Sequence, residues 1–574
     1  MNGNTTKNDD VSIVLGGAAG QGIQTVEQLL VHLFKASGYH LYATKEYMSR
    51  VRGGSNSTEL RVSSKPVRAF VNRMDFLIPL DKDVLKRLNS RITDDTVIIG
   101  DKKKLLGKNG DESLDIIDIP LSDLSKEIGG AIYSNILIVG ALTAIFNIDQ
   151  ELLHNQLQAS FGAKGEDIVA KNIKAAKIGY GYGQELASTG KVKVNVTKGQ
   201  KVEKQIVIDG SHAVGLGAIA GGCNFIATYP MSPSTAVLTF LAQQGERFNI
   251  IAEQTEDEIA GMNMALGASY AGARAMVTTS GGGYALMVEA LSLAGAAELP
   301  LVVHLAQRPG PATGLPTRSE QGDLLFALYS GHGEFPRIIY APGSLLDAFE
   351  LSQKAFNMAE KYQVPVFLLT DQYFVDSYYN IPKIDVSKYK NENYIIKAEK
   401  GYKRYEVTEN GVSPRSIPGY GPEVVIADSH EHDEEGHISE DHDNRIRMVD
   451  KRLRKQGALL TDAIPPLREG PDNAANLVVC WGSTYQIVQE AINNLGRDDV
   501  ALLYFRQVYP FPSNTLDYFR NAKNVIVIEN NATGQFAQML HLFPHIEVHQ
   551  NILKYNGLPF SVEEVEKELN QKLK

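Results

Sequence analysis

VSIVLGGAAGQGIQTVEQLLVHLFKASGYHLYAT, Val11 to Thr44, decides the class of fold. VSIVLGG is a short apolar strand, GIQTVEQLLVHLFKASG carries helical spacing and stops at Gly38, and HLYAT reads as the next strand. Strand, glycine loop, helix and strand imply a parallel sheet covered by helices, an α/β architecture. This first domain is expected over residues 1–190. The polar, lysine-rich stretch ASTGKVKVNVTKGQKVEK then reads as a connection.

The alternation resumes at QIVIDG. NFIATYP, NIIAEQ, RAMVTTSGGG, PLVVHLAQRPG and VPVFLLTDQ are β-type runs between alanine-rich helical patterns, so residues 205–386 read as a doubly wound sheet. Residues 387–470 are polar, rich in Tyr, Lys, Asp and Glu, and read as a charged linker. From NLVVCWGS onward VALLYFRQVYPF and NVIVIENN restore the pattern, giving a third, smaller α/β domain over residues 471–574.

Composition narrows the function. The 574 residues are 43% hydrophobic and 22% charged, as in an ordinary globular protein. A net charge of -10 leaves no Lys/Arg excess for phosphate backbones, which argues against a nucleic-acid partner. Cys223 and Cys480 cannot by themselves hold an iron–sulfur cluster or a zinc ion, and they suit a reducing compartment. The most apolar long stretch, residues 281–306, is interrupted by Glu289 and Glu298, so no membrane span is expected. The N-terminus has neither the basic nor the apolar region of a signal peptide, and a cytoplasmic protein is the expectation.

Several motifs suggest ligands. The loop GGAAGQGIQT, with Gly20, Gln21 and Gly22, joins a strand to a helix and could hold a phosphate. It fails the dinucleotide fingerprint because Thr25 stands where a third glycine belongs. Arg50 and Arg52 in SRVRGGSNS suit an anionic ligand. SHEHDEEGHISEDH holds His430, His432, His437 and His442, but its spacing matches no zinc signature and it reads as a solvated loop, so no metal site is assigned. Glu253, Glu256, Asp257 and Glu258 crowd the head of a helix whose Ala and Gly residues allow close packing, and TTSGGG opens a second glycine-rich helix.

YPMSPST, GMNMALGASYAGARAMVTTSGGG and QRPGPATGLPTRSEQGDLLFALYSGHGEFPR together resemble the alpha subunits of 2-oxoacid:ferredoxin oxidoreductases, in the 2-oxoglutarate-type branch. The first domain resembles the gamma domain of that family fused ahead of alpha. The second resembles its thiamine-diphosphate pyrimidine-type, transketolase-like domain, and the last its transketolase-C-like domain. The resemblance implies oxidative decarboxylation of a 2-oxoacid to an acyl-CoA and carbon dioxide, with reduction of ferredoxin. A non-redox transketolase-like subunit and a non-catalytic scaffold are the rival readings.

The resemblance also implies roles for residues. Glu258, nine residues before Gly267 and fourteen before Gly272, matches the glutamate that hydrogen-bonds N1′ of the pyrimidine, with Glu256 as the alternative. Ser280 and Gly281 are expected beside the cofactor. Tyr229, Ser232 and Pro233 of the YPMSPS loop, with Arg308 and Thr317, are expected to bind substrate, the arginine pairing with its carboxylate. Ser232 stands where the family usually has threonine, and Ser211 and His212 stand where it commonly has Asn-Glu. No Gly-Asp-Gly string occurs, so a beta subunit is expected to bring Mg2+ for the diphosphate and a [4Fe-4S] cluster, in a heterodimer or heterotetramer. Coenzyme A is expected as co-substrate, on Gly20, Gln21, Gly22, Arg50 and Arg52.

Overall fold

The computed structural model describes residues 5–18, 21–48, 54–106 and 114–573. They form two compact units, one of Met1–Ile208 with Asp376–Ile384 and one of Asp209–Val375 with Asp385–Lys574.

In the first unit the opening stretch folds as its pattern predicts. Strand Asp10–Ala18 is buried along almost its whole length, and helix Ile23–Ala36 turns Ile23, Val26, Leu29, Leu30, Leu33 and Phe34 inward. Gly22, at a φ of 76°, starts the helix in a conformation that disfavours a side chain. Among the described residues the sheet runs Ile116–Asp118, Val97–Gly100, Phe76–Pro79, Asp10–Ala18, Ser55–Ser63, His40–Glu46, Tyr378–Ile381 and Ile206–Asp209.

The expectation of a purely parallel sheet needs correction here. Ser55–Ser63 lies antiparallel between Asp10–Ala18 and His40–Glu46. Its sequence, SNSTELRVS, looks like loop, yet the strand is almost wholly buried because distant partners neutralise its charges. Glu59 meets Arg91 at 2.7 Å, and Arg61 Nε donates to Asp10 at 2.9 Å. Helices Ser134–Ile145 and Glu166–Ser188 pack against each other in backbone contact and share the core of this unit. A Cβ on Gly179 would sit 1.9 Å from the Leu137 carbonyl oxygen, so only glycine fits there.

The second unit is built on strands β1 (Phe225–Thr228), β2 (Ile251–Gln254), β3 (Ala275–Thr279), β4 (Leu301–Gln307), β5 (Ile338–Tyr340), β6 (Pro365–Asp371) and β7 (Gln507–Tyr509). Their spatial order is β2-β1-β3-β4-β6-β5-β7, parallel except for β7. From β1 the chain moves to β2 on one side, then crosses to β3 on the other. The carboxyl ends of β1 and β3 therefore flank a topological switch point, the crevice where open α/β sheets bind ligands. Helix α1 (Glu258–Tyr270) leads into β3 and α2 (Gly281–Ala296) leaves it. A second sheet, ordered Leu467–Glu469, Val500–Phe505, Asn476–Trp481, Asn524–Glu529 and Gln550–Leu553, shares one apolar core with the first, from Met262 and Tyr284 to Leu477, Trp481 and Phe536.

Residues 387–470 are more ordered than a solvated linker. They include α3 (His442–Thr461), capped by the Asp441 carboxylate, which accepts from the Asn444 N–H at 2.6 Å. Arg404, Arg415, Lys451 and Lys455 are buried. Lys451 Nζ pairs with Glu298 Oε1 at 2.6 Å, Lys455 pairs with its Oε2, and Arg404 donates to the Glu298 carbonyl at 2.8 Å. Burial opposes ionisation of Glu298, but these three cations hold its carboxyl below the usual range. No single described helix is long and apolar enough to cross a membrane.

Candidate functional site

The switch point gathers most of the residues singled out in the second domain. β1 runs into the loop Tyr229–Ser234, where Tyr229 and Ser232 are exposed and Pro233 is buried. The Ser232 carbonyl accepts a hydrogen bond from Arg308 Nη1 at 2.7 Å, which ties this loop to the residue following β4. Arg308 Nε is buried with no hydrogen-bond partner. Thr317 is buried on the loop beyond Arg308.

The acidic cluster sorts by environment. Asp257 caps α1, its carboxylate accepting from the Ala260 N–H at 2.7 Å, while Glu253 and Glu256 are exposed. Glu258 alone turns inward; it is 4% exposed, and its Oε1 has no hydrogen-bond partner. Its carboxyl rests on the turn between β3 and α2. A Cβ on Gly283 would come within 2.5 Å of Glu258 Oε1 and 2.3 Å of Thr279 Oγ1, so the glycine gives the carboxylate its seat. Ser280, at the cap position of α2, makes no capping bond, and its buried Oγ has no partner.

One further carboxyl meets this turn. Asp323 lies against Gly281, and its Oδ2 is buried without a partner. Burial and the nearby Glu320 push its carboxyl up to about 7, against the opposing effect of Arg308. An Asp before the apolar run LLFALY reads as a simple helix cap, and nothing in its local pattern sets it apart. Glu258 Oε1, Ser280 Oγ, Arg308 Nε and Asp323 Oδ2 are thus four unpartnered polar atoms around one crevice. Each costs about 1–3 kcal/mol if nothing satisfies it, more where it is charged.

The threonines and the histidine in the middle of the sheet are, by contrast, satisfied. Thr228 Oγ1 donates to the Thr278 carbonyl. His304 Nδ1 lies 2.7 Å from Thr278 Oγ1 and its Nε2 lies 2.9 Å from Thr370 Oγ1. Burial drives His304 down to about 3, so the imidazole is a neutral member of the core. At the departing turn Ser211 Oγ donates to the Val375 carbonyl at 3.3 Å, and His212 Nδ1 meets Asp209 at 2.6 Å.

In the first unit Gly20, Arg50 and Arg52 lie outside the described residues. Gln21 Oε1 accepts from the Ala18 N–H at 3.0 Å, and Asn135 donates to the Gln21 carbonyl. Ser55 and Ser57, in register with Ala18 and Gly16, carry buried hydroxyls without partners, which the polar look of their strand concealed. In the histidine-rich segment His430 and His437 are exposed, whereas His432 is buried, with its ring centroid 3.9 Å from that of Tyr405. Among the described residues no three His, Cys, Asp or Glu side chains are grouped to hold a metal ion.

Known proteins resemble this chain. A family model described as pyruvate ferredoxin/flavodoxin oxidoreductase matches residues 12–182, and one described as pyruvate flavodoxin/ferredoxin oxidoreductase, thiamine diphosphate-binding, matches residues 216–451. The 2-oxoacid:ferredoxin oxidoreductase subunit alpha of Saccharolobus solfataricus is 31% identical over 97% of this chain and 96% of its own length. The 2-oxoglutarate oxidoreductase subunit KorA of Mycobacterium tuberculosis is 28% identical over 97% and 90%. A solved 2-oxoglutarate:ferredoxin oxidoreductase from Magnetococcus marinus, with 2-oxoglutarate, coenzyme A and succinyl-CoA bound, superposes with a TM-score of 0.91 at 31% identity, over 99% of this chain and all of that one. With the likeness running through both units, the chain belongs to the 2-oxoacid:ferredoxin oxidoreductase family, as an alpha subunit.

Proposed function

We propose that this chain supplies the pyrimidine side of a thiamine diphosphate site completed by a beta subunit, and that the assembled enzyme oxidises 2-oxoglutarate. The reading rests on one observation above all, the buried and unpartnered Glu258 carboxyl seated on Gly283 at the switch point. An acceptor held out of water and left unpaired fits a ring nitrogen that must share a proton. Bound thiamine diphosphate would supply the electron sink for decarboxylation.

The chain's own residues then have distinct tasks. Glu258 Oε1 would hold the proton shared with N1′, and Gly283, having no Cβ, lets that carboxyl take its seat. Arg308 spends Nη1 on the Ser232 carbonyl, which fixes the guanidinium and leaves its Nε edge for the substrate carboxylate. The Ser232 hydroxyl and Tyr229 line the same approach, with Pro233 stiffening the loop and Thr317 facing the substrate's far end. Ser280 Oγ is a second contact for the cofactor.

The choice of 2-oxoglutarate draws on the Magnetococcus enzyme and its bound molecules. The first unit takes coenzyme A near Gly20–Gly22, with the unpartnered Ser55 and Ser57 hydroxyls close to the same strand end and Arg50 and Arg52 as anion contacts. Mg2+, a [4Fe-4S] cluster and the contact with ferredoxin belong to the beta subunit, in a cytoplasmic complex. Purified alone, the chain should show no 2-oxoacid-dependent viologen reduction, with activity and coenzyme A dependence arriving on addition of beta. Catalytic turnover by the isolated chain would overturn the shared-site reading.

A further inference from the structure

Asp323 is set apart by what it does not do. It stands at the cap position of helix Leu324–Tyr329, where an aspartate ordinarily accepts a helix N–H, yet it makes no capping bond. Its own N–H donates to Gln307 Oε1 at 2.9 Å, which ties its backbone to the last residue of β4, the neighbour of Arg308 in the chain. Its carboxyl turns onto the head of α2, where a Cβ on Gly281 would lie 2.5 Å from Oδ2 and 2.6 Å from Oδ1. Oδ2 is buried there without a hydrogen-bond partner. Glu258 presses on Gly283 and Asp323 on Gly281, so the glycine triplet is held between two carboxyls. The charged groups that act on Asp323 are Glu320 from its own loop and Arg308 from the end of β4; α2 adds the buried Tyr284 hydroxyl, which burial and Asp323 keep protonated, and no charge before Glu289.

This inference rests on the reading that Arg308 receives the carboxylate of a 2-oxoacid. We infer that Asp323 is a positioning residue that sets how much of the Arg308 charge the substrate meets. As the neutral acid it leaves the guanidinium to the substrate. As the carboxylate it competes for it, and substrate affinity falls. Burial and Glu320 hold the carboxyl protonated up to about pH 7, so the change occurs in the neutral range. A carboxyl raised by folding makes the native state bind an extra proton between the ordinary aspartate value of 3.8 and about 7. Over that window its contribution to stability declines as pH rises.

The test uses the complex reconstituted with beta, and the KM for 2-oxoglutarate between pH 6 and 8.5. The wild type should show KM rising roughly tenfold through neutrality, with kcat moving less, the size of one charge-assisted contact. Asp323→Asn should flatten that rise, and Glu320→Gln, which leaves Asp323 in place, should move it to lower pH. On the chain alone, the Tm advantage of Asp323→Asn should grow from pH 5 to pH 8. An Asp323→Asn enzyme that keeps the wild-type KM profile, or a Tm difference independent of pH, would overturn the inference. Failure of the wild-type complex to turn over any 2-oxoacid would instead overturn the functional reading, and this inference with it.

Discussion

Two parts of the second unit bury charge in opposite ways. Around Glu298, one carboxylate is closed by Lys451 and Lys455, and Arg404 spends its donors on the Glu298 and Gln363 oxygens. Around the switch point Glu258, Ser280, Arg308 and Asp323 each leave a buried polar atom unmet. The first arrangement balances its charges within the chain, Glu298 Oε2 being met by Lys455 as an ion pair and not by a hydrogen bond. The second is complete only when something else enters. A buried charge therefore identifies a site by what it lacks, not by how deeply it is buried.

The sharpest way to break this contrast is to neutralise each carboxylate with its isostere. Glu258→Gln should lower turnover of the reconstituted complex by about 10²–10⁴, the usual worth of a positioned acid–base group, with Tm almost unchanged. Exchange of the thiamine C2 proton, followed by NMR, should slow in parallel. Near-normal exchange would transfer the role to the exposed Glu256.

Glu298→Gln should do the reverse. It strands two buried ammonium groups and should cost about 3–5 kcal/mol of unfolding free energy, while the protein that remains folded keeps its specific activity. Burial already lowers Lys455 to about 8, so the variant should release protons near neutrality as both lysines discharge. Denaturant curves that superpose on wild type would show that the cluster is not the structural closure described above.

A smaller effect is expected at the edge of the site. Arg308→Lys keeps the charge but loses the fork that binds Ser232 with one nitrogen and leaves another free. KM for the 2-oxoacid should rise roughly tenfold or more, the worth of one hydrogen bond to a charged group, with cofactor affinity unaltered. Loss of cofactor binding at unchanged KM would place Arg308 on the cofactor instead.

The same contrast explains what could be read from the chain alone. Local patterns carried the strand, glycine loop, helix and strand of Val11–Thr44, and the strand ends that deliver Ser232, Ser280 and Arg308. What escaped depends on partners far along the chain. Ser55–Ser63 looks like loop until Arg91 answers Glu59, and the 387–470 segment looks solvated until Lys451 reaches Glu298, 153 residues away. Asp323 escaped because it mimics a helix cap, and only the absence of the capping bond gives it away. Glu258 was legible through family resemblance, but its separation from Glu256 by burial was not.

The strand Tyr378–Ile381 lies in the sheet of the first unit, between His40–Glu46 and Ile206–Asp209, although most of the second unit's large sheet comes before it in the chain. Asn380 reinforces the join, its Oδ1 accepting from the Leu41 N–H at 3.0 Å. During translation the N-terminal sheet must therefore wait for its last strand while roughly 170 residues are made, on the order of ten to thirty seconds at ordinary elongation rates. Throughout that interval the edge of His40–Glu46 is open to any other extended chain. Production of this subunit should accordingly favour slow synthesis at low temperature with chaperones present, and a fragment ending before residue 376 would keep that edge bare permanently.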